Sequence, residues 1–80
     1  MQIEAAELKK VTLKAARINK GYTQEKAAEL IGISVFTLAN YEAGKSFPDI
    51  PILKRIEDVY EVPYHQLIFL VWNYSLNVKH

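Results

Sequence analysis

Few side chains in this sequence could carry out covalent or metal chemistry. It has no cysteine and two histidines, His65 and His80. That excludes disulfides, cysteine-ligated zinc, thiol catalysis and a histidine-rich metal site. Neither Ser34 nor His65 stands in a nucleophile–base arrangement. Asp58 and Glu61 read as parts of solvated helix faces. The expectation is no enzyme, no cofactor and no metal. The remaining chemistry is hydrogen bonding. Ser34 and Asn40 can both donate and accept, and an Asn that reaches N6 and N7 of adenine reads that base. Gln24 falls at a helix start, where backbone N–H groups and the helix dipole favour an anion.

These residues sit on a small frame. The chain has 80 residues and a mass of 9.2 kDa, which is one domain over residues 1–80. Half the residues are hydrophobic and 24% are charged, an ordinary globular composition. Net charge is +1, a weak bias for a nucleic-acid binder. The basic excess lies early, with five basic against two acidic groups in residues 1–22. No apolar run reaches the roughly 18–20 residues that span a bilayer, and Met1-Gln2-Ile3-Glu4 does not open like a signal peptide. The expectation is a cytoplasmic protein with no membrane partner.

Glycine and proline divide the chain into helical segments. The first helix is expected from Glu7 or Thr12 to Lys20, with Leu8, Val11, Ala15 and Ile18 at helical spacing, as are Leu13 and Ala16. Asn19-Lys20-Gly21 reads as its stop. The second runs from Gln24 to Ile31, capped by Thr23, with Ala27, Ala28 and Ile31 on a narrow apolar face. The third runs from Ser34, its cap, to Ala43 before Gly44. Leu38 and Tyr41 point inward; Val35, Phe36, Ala39 and Asn40 point elsewhere. The fourth runs from Ile50 or Pro51 to Tyr60 with Asp49 as cap. A fifth starts near Pro63 or Tyr64 and carries Leu67, Ile68 and Phe69. Leu70 to Leu76 could extend it or form a strand.

The informative unit is Thr23 to Glu42. A short turn containing Gly32 makes two helices cross steeply. Ala28 must be small where the second helix of the pair packs, and Leu38 must be apolar to anchor the outer helix. The outer helix then offers its other side to solvent, and a helix about 10–12 Å across fits the DNA major groove. Gly21-Tyr22-Thr23-Gln24, Ala28, Gly32, Ser34, Leu38 and Tyr41-Glu42-Ala43-Gly44-Lys45, then Pro48, resemble the helix-turn-helix of lambda-repressor-like, Cro-type and XRE-type regulators. The resemblance covers Leu13 to Phe69. It implies an all-α, compact five-helix lambda-repressor-like DNA-binding domain with a short C-terminal extension. The core is about 12–69, the helix-turn-helix about 23–43 and the tail 70–80. It also implies sequence-specific binding of double-stranded DNA, usually as a homodimer on a palindromic operator.

The resemblance assigns roles. Thr23 and Gln24 stand at the phosphate-facing start of the second helix, although Gln24 could merely solvate that end. Ser34, Val35, Phe36, Thr37 and Asn40 stand where relatives approach base edges and nearby phosphates. Ser34 serves as N-cap as well. Many relatives carry Gln, Arg or Ser where Val35 and Phe36 stand, so readout shifts toward thymine methyls or DNA shape; the alternative is that Phe36 packs on the protein or a partner. Lys45 and Ser46 match a phosphate-contacting loop, against a solvated lysine. Lys26 and Lys20 are outer phosphate candidates, giving roughly three to five phosphates per half-site. Arg17 and Glu42 look like a structural pair locking the reading helix to the first helix, rather than two exposed charges. Glu57 stands where relatives carry a small apolar residue and could pair with Arg17, Lys54 or a dimer neighbour. Ala27 replaces a commoner Leu.

Leu67 to Trp72 is an unbroken apolar run. Val71, Trp72 and Tyr74 are candidates for a dimer contact, unless they pack back on the first helix. No small-molecule ligand is expected, since no second domain exists to hold an inducer. The function expected is a transcriptional regulator of phage or bacterial type, repressor before activator by family habit, at the bacterial nucleoid. The rival is a protein-interaction module of the same fold, an antitoxin or a modulator of another repressor.

Overall fold

Thr12, Thr23, Ser34 and Asp49 share one conformation and one task. Each has extended backbone, and each side-chain oxygen accepts the N–H of the residue three places on, at 3.0 to 3.1 Å. Each satisfies a backbone donor that a helix start leaves orphaned. The computed structural model describes residues 10–69. The four caps open helices α1 (Leu13–Asn19), α2 (Gln24–Ile31), α3 (Val35–Ala43) and α4 (Ile50–Tyr60). Strand β1 (Val11–Thr12) precedes α1. A single 3-10 turn (Tyr64–Gln66) and strand β2 (Leu67–Ile68) follow α4.

The core is built from Leu13 and Ala16 of α1, Ala27, Ala28 and Ile31 of α2, Leu38 of α3, Ile56 and Tyr60 of α4, and Leu67 of β2. Leu38, Ile56, Ile31 and Tyr60 are at most 1% exposed. Burying an aliphatic side chain of that size stabilises the fold by about 1.5–3 kcal/mol. Ala27 and Ala28 are buried as well, and their small side chains bring α2 close to its neighbours. The hollows along α4 are lined by other residues, so Ala27 opens no gap there.

The end of the fold departs from the sequence expectation. Among the described residues there are four α-helices, not five, and a small sheet stands beside them. Leu67 and Ile68 are strand rather than helix, pairing parallel to β1 with Val11 opposite Leu67 and Thr12 opposite Ile68. Two local features stop a fifth helix. Glu61 ends α4 in the left-handed region at φ 56°, a conformation that breaks a right-handed helix. Pro63 then holds an extended backbone, and only one 3-10 turn follows. The Tyr64 N–H that opens this turn donates to the Glu57 carboxylate at 2.6 Å. Glu57 therefore binds backbone, and among the described residues it forms no ion pair with Arg17 or Lys54.

The same sheet corrects the start of the first helix. Thr12, not Glu7, is its cap, and Val11 is extended. Ile18 is exposed, and Leu13, Ala16 and Arg17 are buried instead. Leu8 and the tail residues Val71, Trp72 and Tyr74 lie outside the described residues. Among the described residues no helix is long and apolar enough to cross a membrane.

Candidate nucleic-acid interface

The turn between α2 and α3 is Gly32, Ile33 and Ser34. Gly32 adopts φ 90°, which a residue with a Cβ enters only under strain. The N–H groups of Gly32 and Ile33 both donate to the Ala28 carbonyl, at 2.8 and 3.0 Å. The turn thereby satisfies the end of α2 while Ser34 starts α3. Leu38, fully buried, and Tyr41, half-buried against the core, fix the inner side of α3.

A charged network fixes the rotation of α3. Glu42 accepts from Arg17 Nε at 2.7 Å, Arg17 Nη2 at 3.2 Å and Gln24 Nε2 at 3.0 Å. Arg17 Nη1 donates to the Tyr22 carbonyl at 2.9 Å. The guanidinium thus joins α1, the α1–α2 loop and α3, and Gln24 joins α2. The Arg17 and Glu42 side chains are 9% and 6% exposed. The hydrogen bond to Glu42 raises the Arg17 pKa above its ordinary value, outweighing the desolvation that would lower it. Gln24 lies at the start of α2, and its amide N–H meets the Glu42 carboxylate.

The outward side of α3 carries no formal charge. Phe36, Ala39, Asn40 and Ala43 recur at the i, i+3, i+4, i+7 spacing of one helical stripe. Phe36 is 73% exposed, Ala43 is exposed, and Ala39 and Asn40 are half-buried. Val35 is exposed beside this stripe. The charge of α3 is Glu42, which Arg17 holds. The first turn is also less free to hydrogen-bond than its composition suggests. Ser34 Oγ accepts from the Thr37 N–H at 3.0 Å and donates to Thr37 Oγ1 at 2.9 Å. The Ser34 proton is therefore engaged, and Thr37 keeps its own hydroxyl proton for an outside acceptor.

The cations lie around this stripe. Lys45 is exposed just past α3, but its backbone N–H donates to the Asn40 carbonyl at 2.9 Å. A contact from that loop falls to the Lys45 ammonium and to Ser46, which is half-buried. Lys26 lies 4.0 Å from Glu29, and Lys20 lies 3.0 Å from Glu61. The structure thus brings Arg17, Gln24 and Glu42 into one network and leaves Phe36 and Asn40 together outside it. Ala43, absent from the sequence assignment, belongs to the same stripe; counting seven residues on from Phe36 finds it. The Gln24–Glu42 and Ser34–Thr37 contacts have no signal in the sequence beyond residue type.

A second surface lies along α4. An open hollow of about 240 Å³ is lined by Ile50, Leu53, Lys54, Glu57 and Tyr64. Another of about 190 Å³ is lined by Phe47, Pro48, Leu53 and Phe69. Leu53 is common to both.

Residues 13–67 match the family model described as helix-turn-helix. The chain belongs to the helix-turn-helix family. The match runs from the first residue of α1 to the first residue of β2. This helix-turn-helix chain is also similar to curated regulators of Bacillus subtilis (strain 168). It is 39% identical to the HTH-type transcriptional regulator ImmR over 56 residues, which is 70% of this chain and 44% of ImmR. It is 38% identical to the uncharacterized HTH-type transcriptional regulator YazB over 55 residues, 69% of this chain and 80% of YazB. It is 36% identical to the SPbeta prophage-derived uncharacterized HTH-type transcriptional regulator YonR over 47 residues, 59% of this chain and 44% of YonR. The chain thus spans less than half the length of ImmR and YonR and most of YazB. No solved structure matches it.

Proposed function

We propose that this helix-turn-helix chain is a sequence-specific DNA-binding transcriptional regulator. In this reading it is a repressor that occupies a palindromic operator as a homodimer at the bacterial nucleoid. The observation that carries the reading is the division of α3. Its inner side is held by fully buried Leu38 and by the Arg17–Glu42 pair, while Phe36 and Ala43 stay exposed beside half-buried Asn40. A helix held rigidly on one side and bare on the other is what insertion into the major groove requires.

The partition of roles follows. Thr23, Gln24, Lys45 and Ser46 take phosphates at the two ends of the unit, setting register. Ser34, Val35, Phe36, Thr37 and Asn40 face the bases. Two copies place their α3 helices in successive major grooves about 34 Å apart. Val71, Trp72 and Tyr74 make the dimer contact. The hollow lined by Phe47, Pro48, Leu53 and Phe69 supports that assignment, because Phe69 leads directly into residues 70–80. The prophage-derived relative supports a phage-type regulator.

The test is titration of the purified protein against DNA flanking its own gene, and against a randomised duplex library, with unrelated competitor at two salt concentrations. Binding that survives competitor and weakens with Asn40→Ala supports the reading. Failure on the library rejects it. A second reading, a protein-interaction module, is favoured by the uncharged outward stripe and the exposure of Phe36. It predicts no enrichment of any duplex and a protein partner lost on Phe36→Ala.

A further inference from the structure

We propose that the outward stripe of α3 is built to read A·T base pairs, with Phe36 packing on a thymine methyl and Asn40 reading an adenine one turn along. This rests on the DNA-binding reading above and narrows its substrate to duplexes with A·T pairs at these steps. Three observations point there. Phe36 is 73% exposed on an uncharged stripe, so the surface it presents is apolar. Thymine alone among the bases offers an apolar group in the major groove, its C5 methyl. Ala39 and Ala43 stand on the same stripe with single methyl groups, so the helix can approach the base edges closely.

The polar inventory agrees. Ser34 donates its proton to Thr37 and accepts the Thr37 N–H, which removes it as a donor to bases. Asn40 is the one amide on the stripe, and an amide pairs bidentately with N6 and N7 of adenine. Phe36 and Asn40 are four residues apart, a rise of roughly 6 Å along the axis. Successive bases on one strand rise about 3.4 Å, so the two side chains address steps within about two base pairs of each other. No Arg or Lys on the stripe offers the bidentate contact that guanine favours.

The experiment removes the methyl alone. Duplexes are first selected from a randomised library by the full chain. Each thymine of the selected site is then replaced in turn by deoxyuridine, which keeps every hydrogen bond. At one or more positions the native chain is expected to lose about fourfold in affinity, the effect of one buried methyl. Phe36→Ala is expected to bind thymine and deoxyuridine duplexes equally there, with an unchanged melting temperature because the ring is exposed. Asn40→Ala is expected to lose roughly 5- to 150-fold of the preference for A·T at the neighbouring step. Equal binding of thymine and deoxyuridine by the native chain overturns the proposal while leaving DNA binding intact. A loss that persists undiminished in Phe36→Ala also overturns it. Enrichment of no duplex overturns the DNA-binding reading together with it.

Discussion

Arg17 on α1 holds Glu42 on α3 through two N–H···O bonds of 2.7 and 3.2 Å, with both side chains less than a tenth exposed. A pair this far from water acts differently from one on the surface. Removing either partner strands a desolvated charge, whereas replacing both with apolar groups of similar size removes the penalty. Arg17→Met is expected to cost about 3–5 kcal/mol in urea unfolding, and Arg17→Met with Glu42→Leu to recover much of that loss. A single-variant cost below about 1 kcal/mol would place the pair with exposed ion pairs instead.

Glu57 is expected to matter through backbone. Its carboxylate accepts the Tyr64 N–H, which opens the 3-10 turn leading into β2. Glu57→Ala leaves that donor without its partner and is expected to destabilise by about 1 kcal/mol. Amide exchange at Tyr64 should accelerate. Unchanged exchange at Tyr64 would sink this account of the turn.

Stability at high pH is expected to depend on Tyr60. Burial is the main cause that pushes its hydroxyl up to about 12, with Glu42 nearby adding to the shift. The folded state therefore keeps the proton where the unfolded chain, titrating near 10, has lost it. The contribution is full below about pH 10 and is lost as pH rises from about 10 through about 12, at roughly 1.4 kcal/mol per pH unit. Among the described residues the buried hydroxyl has no hydrogen-bond partner. Tyr60→Phe should flatten the alkaline limb and leave neutral stability equal or higher. Tyr41, whose pKa burial also raises, would account for a residual slope. An alkaline limb identical in Tyr60→Phe would remove Tyr60 as its cause.

Lys45 gives the salt dependence a residue-level test. If its ammonium meets a phosphate, Lys45→Ala should weaken binding to all duplexes by a similar factor. It should also lower the slope of log K against log salt by about 0.9 per protomer. An unchanged slope would assign that loop to solvent.

The local code of this protein was legible in its sequence. Thr23, Ser34 and Asp49 announced their helices because N-capping needs only a short polar side chain and three residues of chain. Gly32 and Gly44 marked the ends of α2 and α3 because a left-handed cap excludes most side chains. Ala28 and Leu38 marked the pair of crossing helices, since spacing alone puts them on inner faces. What the sequence could not supply was the partner across space. Leu67 and Ile68 are compatible with helix or strand, and β1, 55 residues earlier in the chain, decides the matter by pairing with their backbone. Glu57 looked like a charge in search of a cation until the chain folded Tyr64 back over it. Ser34 looked free to read bases until Thr37 took its proton. Residue type and spacing fix which groups a helix can offer; tertiary structure fixes which are already satisfied, because a hydrogen bond made inside the protein is withdrawn from any ligand.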